Sequence, residues 1–244
     1  MTTALVLGGG GPLGIAWQSG LLTALARRGI DLSRSDLILG TSAGSVVGAT
    51  LAAGLDLASL LPRVSGGLPL GPGASGDISG LPELAIKDMI DYALSADTIA
   101  EEHYLGRPLF AEFAGIPWPS ALRCTGVDTR TGRLTVWDAD SGVDLPTALA
   151  ASCAVPGLFP PVTIHGTRYV DGGVINPLNV DLAGGHHRVV AISCFPATEE
   201  SGVTLVQPGP EFLAISEWGA AVMDTARSAD AYEAGLRQAD RTSL

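Results

Sequence analysis

Residues 36–53 read DLILGTSAGSVVGATLAA, an apolar run, a turn of small residues and a second run rich in Ala and Val. Asp36 to Leu39 is typical of a buried strand, and Ser45 to Ala53 is typical of a helix. Glycines separate a strand from a helix once more, between Thr3 to Leu7 and the helix-like stretch Leu13 to Arg28. Strands that alternate with helices predict an α/β fold with a mostly parallel sheet.

The rest of the chain extends this pattern. Further strands are predicted at Leu122 to Asp128, Arg133 to Asp138, Thr163 to Val170 and Arg188 to Cys194. Glu211 to Gln238 is predicted to be one long closing helix. Its core-facing side is expected to comprise Phe212, Ile215, Trp218, Val222 and Met223.

The chain is predicted to fold as a single domain over residues 1–244, because 46% of its residues are hydrophobic. Residues 62–81 are dense in Gly, Pro and Ser, and residues 81–113 have a helical pattern. We expect residues 62–120 to form a lid or cap. Helices that simply pack on the core are the alternative.

Gly40-Thr41-Ser42-Ala43-Gly44 has the G-x-S-x-G form and stands between the predicted strand and helix. A strained strand-to-helix turn leaves no room for side chains on its flanks, so Gly40 and Gly44 let the Ser42 hydroxyl project. We therefore interpret Ser42 as a candidate nucleophile. An ordinary glycine-rich turn with an idle serine is the alternative.

Gly8-Gly9-Gly10-Gly11-Pro12-Leu13-Gly14 follows the first strand. A chain without side chains can turn several N–H groups into one concavity, which suits an oxyanion hole. The same glycines satisfy the G-x-G-x-x-G dinucleotide pattern, with Asp31 as a partial match for its acidic residue. That residue should end a full second strand, and Asp31 instead follows a helix-like stretch, which disfavours cofactor binding.

A nucleophilic serine needs a base, and Asp171-Gly172-Gly173 is a candidate because it follows a strand and can form a tight turn. An ordinary Asp-Gly turn is the alternative. The chain has four histidines, none of them in a signature of its own. These are His103, His165, His186 and His187.

The net charge, the first residues and the cysteines lead to predictions about binding partners and cellular location. The chain has 14 Lys and Arg against 25 Asp and Glu, a net charge of -11, which disfavours nucleic acid and anionic membranes as electrostatic partners. Any contact with a lipid surface is expected to be transient and made by apolar groups. No basic region precedes the first apolar run, and the three cysteines are widely spaced, so a cytoplasmic location with reduced thiols is expected.

The charge-free stretch Leu37 to Leu55 is about as long as a membrane span. Its first half is crowded with Gly, Ser and Thr, which favours a strand, a turn and a buried helix instead.

The glycine loop, the G-x-S-x-G turn and the Asp-Gly-Gly motif, in this order, resemble the patatin-like phospholipase family. Residues 151–161, ASCAVPGLFPP, also resemble the family's segment before the Asp motif. The resemblance covers nearly the whole chain. It implies a three-layer α/β/α sandwich, a lipid ester substrate and no metal or other cofactor, and it leaves the lipid and the oligomeric state open.

The resemblance also implies roles for individual residues. Ser42 would attack the acyl carbonyl and Asp171 would accept its proton directly, as a dyad. The N–H groups of Gly9, Gly10, Gly11 and Ala43 would bind the oxyanion, with Gly14, Gly40, Gly44, Gly172 and Gly173 as motif glycines. Many relatives carry Arg or Lys where this chain has Leu13, so a charge that would face phosphate is missing there.

Two alternatives remain open from the sequence. One is an α/β-hydrolase esterase with a Ser-His-Asp triad that uses His186 or His187. It is disfavoured because the serine turn follows only two strands and no acid in the expected order is marked. The other is a catalytically silent lipid-binding scaffold of the same fold, which the Leu13 departure permits.

Overall fold

The structure is a computed structural model, and it describes residues 1–71 and 84–244. Within these residues, eight strands form one sheet with helices around it. The strands are β1 (Thr3–Leu7), β2 (Leu37–Gly40), β3 (Leu122–Asp128), β4 (Arg133–Trp137), β5 (Val162–Ile164), β6 (Thr167–Asp171), β7 (Arg188–Ile192) and β8 (Val203–Val206). The α-helices are α1 (Gly11–Arg27), α2 (Ala43–Ala52), α3 (Leu60–Val64), α4 (Ile86–Ser95), α5 (Glu101–Leu105), α6 (Pro108–Ala111), α7 (Leu145–Ser152), α8 (Pro210–Ile215) and α9 (Ser228–Ala239).

The sheet is mixed, with a parallel centre. Its order is β5-β6-β3-β2-β1-β7-β8, and β4 pairs with β3 off this path. The run β3-β2-β1-β7-β8 is parallel throughout, whereas β4, β5 and β6 pair antiparallel. The predicted α/β fold with a mostly parallel central sheet is confirmed.

Alternate residues of the central strands face two separate apolar layers. Leu5 and Leu7 of β1 belong to the main core with helices α1, α2 and α9, whereas Ala4 and Val6 belong to a smaller core. A short 3-10 helix, Val180–Ala183, contributes to that smaller core. Because both faces of the sheet are covered, its central strands read as continuous hydrophobic runs.

Helices α1 and α9 approach each other closely. A Cβ atom on Gly20 would lie 2.1 Å from the Tyr232 carbonyl oxygen, and one on Gly235 would lie 2.2 Å from the Trp17 carbonyl oxygen. Glycine is therefore required at both crossing points. Trp17 is fully buried and stacks on Phe212 at 4.9 Å between ring centroids.

The prediction of one strand from Thr163 to Val170 is wrong, because the segment is the hairpin β5–β6. His165 and Gly166 form its two-residue turn with φ of 48° and 76°. Two positive φ angles in succession match the primed turns that suit the twist of a hairpin. A glycine after a residue that tolerates the left-handed region signals such a turn.

The prediction of one helix from Glu211 to Gln238 is also wrong. The segment contains α8, α9 and two short 3-10 turns, because Glu217, Trp218 and Gly219 have φ of 49°, 57° and 106° and cannot continue a helix. Trp218, predicted to face the core, is 71% exposed. Phe212 and Val222 are buried as predicted.

Three helices, α4 to α6, lie in the described part of residues 81–113, for which the sequence predicted a helical pattern. Residues 72–83 lie outside the described part, so the predicted loop over 62–81 is described only at its start, where α3 includes residues 62–64. Tyr104, Phe110 and Phe113 are fully buried in the main core. The lid over 62–120 remains a prediction.

The charge-free stretch from Leu37 to Leu55 divides into β2, the serine turn and α2, as predicted. Within residues 1–71 and 84–244, no helix has the length and apolar character needed to cross a bilayer. Cys124, Cys153 and Cys194, all of which the structure describes, are buried and free.

Candidate active site

The sheet register brings the serine turn and the aspartate turn together. β4 pairs with residues 124–128 along one edge of β3. β2 and β6 therefore share the other edge, with Gly40 opposite Cys124 and Asp171 opposite Gly126. The end of β2 and the end of β6 thus stand two residues apart along β3, and the residues that follow them meet.

The serine turn is tight and strained. Ser42 has φ 53° and ψ -121°, a conformation that side-chain-bearing residues rarely adopt. A Cβ on Gly44 would lie 2.0 Å from the Leu7 carbonyl oxygen, and one on Gly40 would lie 2.3 Å from the Ser45 Cα. Both glycines are therefore required, for the steric reason predicted from the sequence.

Hydrogen bonds hold this turn in place. The Ser42 N–H donates to the Ser152 Oγ over 3.0 Å, and the Ser45 hydroxyl donates to the Ser42 carbonyl over 2.6 Å. The Thr41 hydroxyl lies 2.9 Å from the Thr125 hydroxyl and accepts from the Asn179 side-chain amide over 3.0 Å. Such bonds offset the cost of holding Ser42 in a strained conformation.

Asp171 ends β6 with its carboxylate in a tight turn. The Gly173 N–H donates to Asp171 Oδ1 over 2.7 Å. A Cβ on Gly172 would lie 2.2 Å from Thr125 Oγ1, so only glycine fits between the turn and β3. Thr125 thereby contacts both the serine turn and the aspartate turn.

Burial makes Asp171 a stronger base than a free carboxylate. Asp171 is only 5% exposed, and this desolvation raises the pKa of its carboxyl to about 7, against smaller lowering effects from Ser42 and the Gly173 N–H. A base with a pKa near neutrality suits proton transfer at neutral pH.

The Ser42 hydroxyl acts to lower the pKa of the Asp171 carboxyl, against the larger raising effect of burial. The pair does not form a bond of normal length and alignment in this conformation. Catalytic hydrogen bonds are often loose without substrate, so the geometry is compatible with a Ser-Asp pair.

The glycine loop lies against the nucleophile, and a Cβ on Gly9 would be 3.4 Å from the Ser42 Cβ. The Gly9 N–H, however, donates to the Pro177 carbonyl over 2.8 Å. Gly9 is therefore removed from the predicted oxyanion donors. Gly10, Gly11 and Ala43 stand at helix starts, where N–H groups have no intrahelical acceptor, and they remain candidates.

Leu13 and Gly14 are packed inside the protein rather than exposed to the cleft. Leu13 is fully buried in the main core, so its side chain does not face the cleft. A Cβ on Gly14 would lie 3.0 Å from the Cys194 Sγ, and one on Gly10 would lie 2.6 Å from the same atom. Cys194 therefore forms the floor under the loop.

Ser42 opens into a small cleft that is partly open to solvent. Its lining is mostly apolar and comes from α1, α3, α6, the segment after α7 and the segment before α9. The lining residues are Gly11, Pro12, Ile15, Ser42, Ala43, Val64, Leu68, Arg107, Leu109, Phe110, Cys153, Val155, Phe159 and Met223. An apolar cleft beside a serine suits an acyl chain.

The histidines stand apart from this cleft, since none of the four lines it. The His186 Nδ1 lies 2.9 Å from the Ala183 carbonyl oxygen, and the His187 Nδ1 lies 3.2 Å from the Thr2 hydroxyl. Across residues 1–71 and 84–244, no group of three or more His, Cys, Asp or Glu side chains is placed to hold a metal ion.

Residues 5–66 and 80–183 match the family described as Patatin-like phospholipase. The chain belongs to the patatin-like phospholipase family. It is 30% identical over 188 residues to Lysophospholipase nte1 of Aspergillus niger. This alignment covers 75% of this chain and 11% of that protein. It is 28% identical over 203 residues to an uncharacterized NTE family protein of Mycobacterium bovis, covering 82% of this chain and 50% of that protein.

This member of the patatin-like family therefore spans half or less of the length of these relatives. Among solved structures it is similar to VipD from Legionella pneumophila, with a TM-score of 0.52 and 14% identity. That alignment covers 98% of this chain and 66% of the VipD chain, and it bears on the fold alone.

Proposed function

We propose that this patatin-like protein hydrolyses carboxylic esters of lipids, with Ser42 as the nucleophile and Asp171 as its base. The observation that carries the proposal is a serine on a strained turn, beside a buried carboxylate of pKa about 7, at an apolar cleft. The names of the lysophospholipase relatives support the same class of substrate.

In the first half of the reaction, Ser42 Oγ attacks the acyl carbonyl carbon while Asp171 takes the hydroxyl proton. The N–H groups of Gly10, Gly11 and Ala43 stabilise the negative oxygen of the tetrahedral intermediate. The intermediate collapses when the ester C–O bond breaks. The alcohol leaves with the proton from Asp171, and the acyl group remains on Ser42.

In the second half, a water molecule attacks the acyl-enzyme and gives its proton to Asp171. The second tetrahedral intermediate is held by the same N–H donors. Breaking the Ser42–acyl bond returns the proton to Ser42 Oγ and releases the fatty acid.

A histidine triad makes a different prediction that is simple to test. Because His186 and His187 bond to Ala183 and Thr2 rather than to Ser42, the variant His186→Ala/His187→Ala should keep wild-type kcat/KM on p-nitrophenyl esters within about twofold. Loss of activity in this variant, with its fold intact by circular dichroism, would contradict the dyad. Wild-type protein that is inactive on short and long esters would support the silent scaffold.

We propose that contact with a lipid surface is transient and is made by apolar side chains near the cleft. Trp218 is 71% exposed in the segment that also carries the cleft residue Met223. Tyr92 is 48% exposed, and its ring packs against Gly157. Gly157 lies in sequence between the cleft residues Val155 and Phe159. With a net charge of -11, such contact depends on apolar burial rather than on attraction to anionic lipid.

Trp218→Ala is expected to weaken binding to phosphatidylcholine vesicles by about tenfold, because an aromatic side chain anchors well in the interfacial region. Co-sedimentation with vesicles measures this loss. Turnover of a short, water-soluble ester serves as the control and should stay within about twofold of wild type. Equal vesicle binding by both proteins would refute the role of Trp218.

A further inference from the structure

Residues 176–179, which follow the aspartate turn, contact both the glycine loop and the serine turn. The Pro177 carbonyl accepts from the Gly9 N–H over 2.8 Å. The Asn179 side-chain amide donates to the Thr41 hydroxyl over 3.0 Å. Asn179 is 1% exposed and has a left-handed φ of 53°, which Asn tolerates better than most residues. One short segment therefore joins the three motifs of the proposed active site.

The orientation of the Asn179 amide follows from its two acceptors. Its Nδ2 donates to the Asn176 carbonyl over 2.6 Å and to the Thr41 hydroxyl over 3.0 Å. A carbonyl oxygen can only accept, so the amide nitrogen rather than the amide oxygen must face Asn176. The Thr41 hydroxyl oxygen therefore receives a hydrogen from Asn179.

This donation sets the direction of two buried hydroxyls. Thr41 Oγ1 lies 2.9 Å from Thr125 Oγ1, which in turn lies 3.5 Å from the Gly40 carbonyl oxygen. Both hydroxyl hydrogens have an acceptor when Thr41 donates to Thr125 and Thr125 donates to Gly40. If Thr125 donated to Thr41 instead, the Thr41 hydrogen would have no acceptor among residues 1–71 and 84–244. A buried unpaired hydroxyl is costly, so the first direction is favoured.

The two threonine hydroxyls lie where the serine turn meets the aspartate turn. Thr41 precedes Ser42 in the chain, and both threonines are fully buried. A Cβ on Gly172 would lie 2.2 Å from Thr125 Oγ1, so this hydroxyl packs directly against the aspartate turn. A change in the threonine pair would therefore move Ser42 relative to Asp171. Reacting groups must be held to within about 0.5 Å of their productive geometry.

We propose that Asn179 is a positioning residue of the Ser42–Asp171 pair, because its amide orients the two threonine hydroxyls that hold the serine turn against the aspartate turn. This inference rests on the proposed ester hydrolysis at Ser42. Asn179 is not among the residues that line the cleft, so its loss should slow the chemical steps and leave substrate binding unchanged. A displacement of about 1 Å is enough to slow a reaction about 100-fold.

Steady-state kinetics on p-nitrophenyl esters test the inference. Asn179→Gly keeps the left-handed backbone without strain and removes the amide. Its kcat should fall about tenfold or more with KM within about twofold of wild type, because the Ser42–Asp171 pair acts in both half-reactions. Thr41→Val, which has nearly the same shape as wild type, should show the same loss and decides the test if Asn179→Gly does not fold. Thr41→Ser retains the hydroxyl and should keep kcat within about threefold of wild type.

The double variant Thr41→Val/Asn179→Gly separates a shared role from two independent ones. Both substitutions break the same chain of hydrogen bonds, so the double variant should lose no more activity than the more severe single variant. Losses that multiply would show that the two residues act independently and would overturn the inference.

Two matched controls report general loosening of the fold. Thr50→Val removes another buried threonine hydroxyl, which donates to the Val46 carbonyl over 2.8 Å within α2. His165→Gly places glycine at another left-handed residue, with φ of 48°, in the β5–β6 turn. Both variants should keep kcat within about twofold of wild type. A tenfold loss in either would mean that the effect of Asn179→Gly is not specific, and the inference would fall.

Crystal structures of wild type, Asn179→Gly and Thr41→Val give a readout that does not depend on activity. The separation between Ser42 Oγ and the Asp171 carboxylate should change by about 0.5 Å or more in both variants. Wild-type kcat in Asn179→Gly, while Ser42→Ala is inactive, would overturn the inference and leave ester hydrolysis standing. A changed separation in the variants, with a wild type that cleaves no ester, would sustain the positioning role and contradict hydrolysis. The two failures are therefore distinguishable.

Discussion

Ser42→Ala is expected to lower kcat/KM for lipid and p-nitrophenyl esters by about 10⁴-fold or more. Without the hydroxyl no acyl-enzyme forms, and the remaining N–H donors of Gly10, Gly11 and Ala43 cannot replace a nucleophile. The measurement is initial-rate kinetics on purified protein, with the thermal midpoint recorded for each variant.

Ser35→Ala is a matched control for this substitution. Ser35 is buried, and its hydroxyl bonds to the Leu32 carbonyl over 2.9 Å, away from the cleft. Its loss should leave kcat/KM within about twofold of wild type. Ser42→Ala protein that keeps activity comparable to this control would show that another group is the nucleophile.

Asp171→Asn is expected to reduce kcat/KM by about 10³-fold or more, because an amide cannot accept the Ser42 proton. In wild type, the rate should depend on the deprotonated fraction of Asp171. With its pKa raised to about 7 by burial, kcat/KM should fall about tenfold per pH unit below pH 7 and level off above it. A rate that stays constant down to about pH 5 would contradict the role of Asp171 as base.

The same substitution should raise stability above neutral pH. The carboxyl has a pKa of about 7 in the folded state and about 3.9 in the unfolded state, so the folded state binds the proton more tightly. Its favourable contribution is complete below about pH 4 and is lost as the pH rises toward 7. Asp171→Asn does not titrate, so its thermal midpoint should exceed that of wild type by several degrees more at pH 8 than at pH 5. An equal difference at both pH values would argue against the raised pKa.

The serine turn and the glycine loop could be predicted because their signals are local. Gly40 and Gly44, two residues before and after Ser42, are needed because there is no room for a side chain. A Cβ on Gly40 would collide with Ser45, and one on Gly44 would collide with Leu7. The alternation of strands and helices likewise gave the mostly parallel sheet. In each case the decisive residues are neighbours in sequence.

Residues that support the site from distant positions could not be predicted in this way. Thr125, Ser152 and Asn179 each contact the serine turn through a single polar atom. No motif marks Thr125 or Asn179, and the resemblance of residues 151–161 gave no role to Ser152. The loss of Gly9 as an oxyanion donor depends on one carbonyl, that of Pro177, which is 168 positions away. Such pairings join segments that are distant in the chain, so no local pattern predicts them.

The break in the predicted closing helix could not be predicted from the local sequence pattern either. Phe212, Ile215, Trp218 and Val222 together are spaced as on one side of a helix, and Phe212 and Val222 are buried. The backbone between them leaves the helical region at Glu217, and Gly219 was the one local sign of this change. Tertiary packing against the glycine loop, through the Leu13 N–H bond to the Val222 carbonyl, accompanies the break.

The most direct test of Ser42 as the nucleophile is to map the site of covalent labelling by a fluorophosphonate probe with tandem mass spectrometry. The probe should modify wild type at Ser42 with one adduct per chain, and Asp171→Asn should react far more slowly. The His186→Ala/His187→Ala variant should react at the wild-type rate. An adduct on another serine, or none on folded wild-type protein, would contradict Ser42 as the nucleophile.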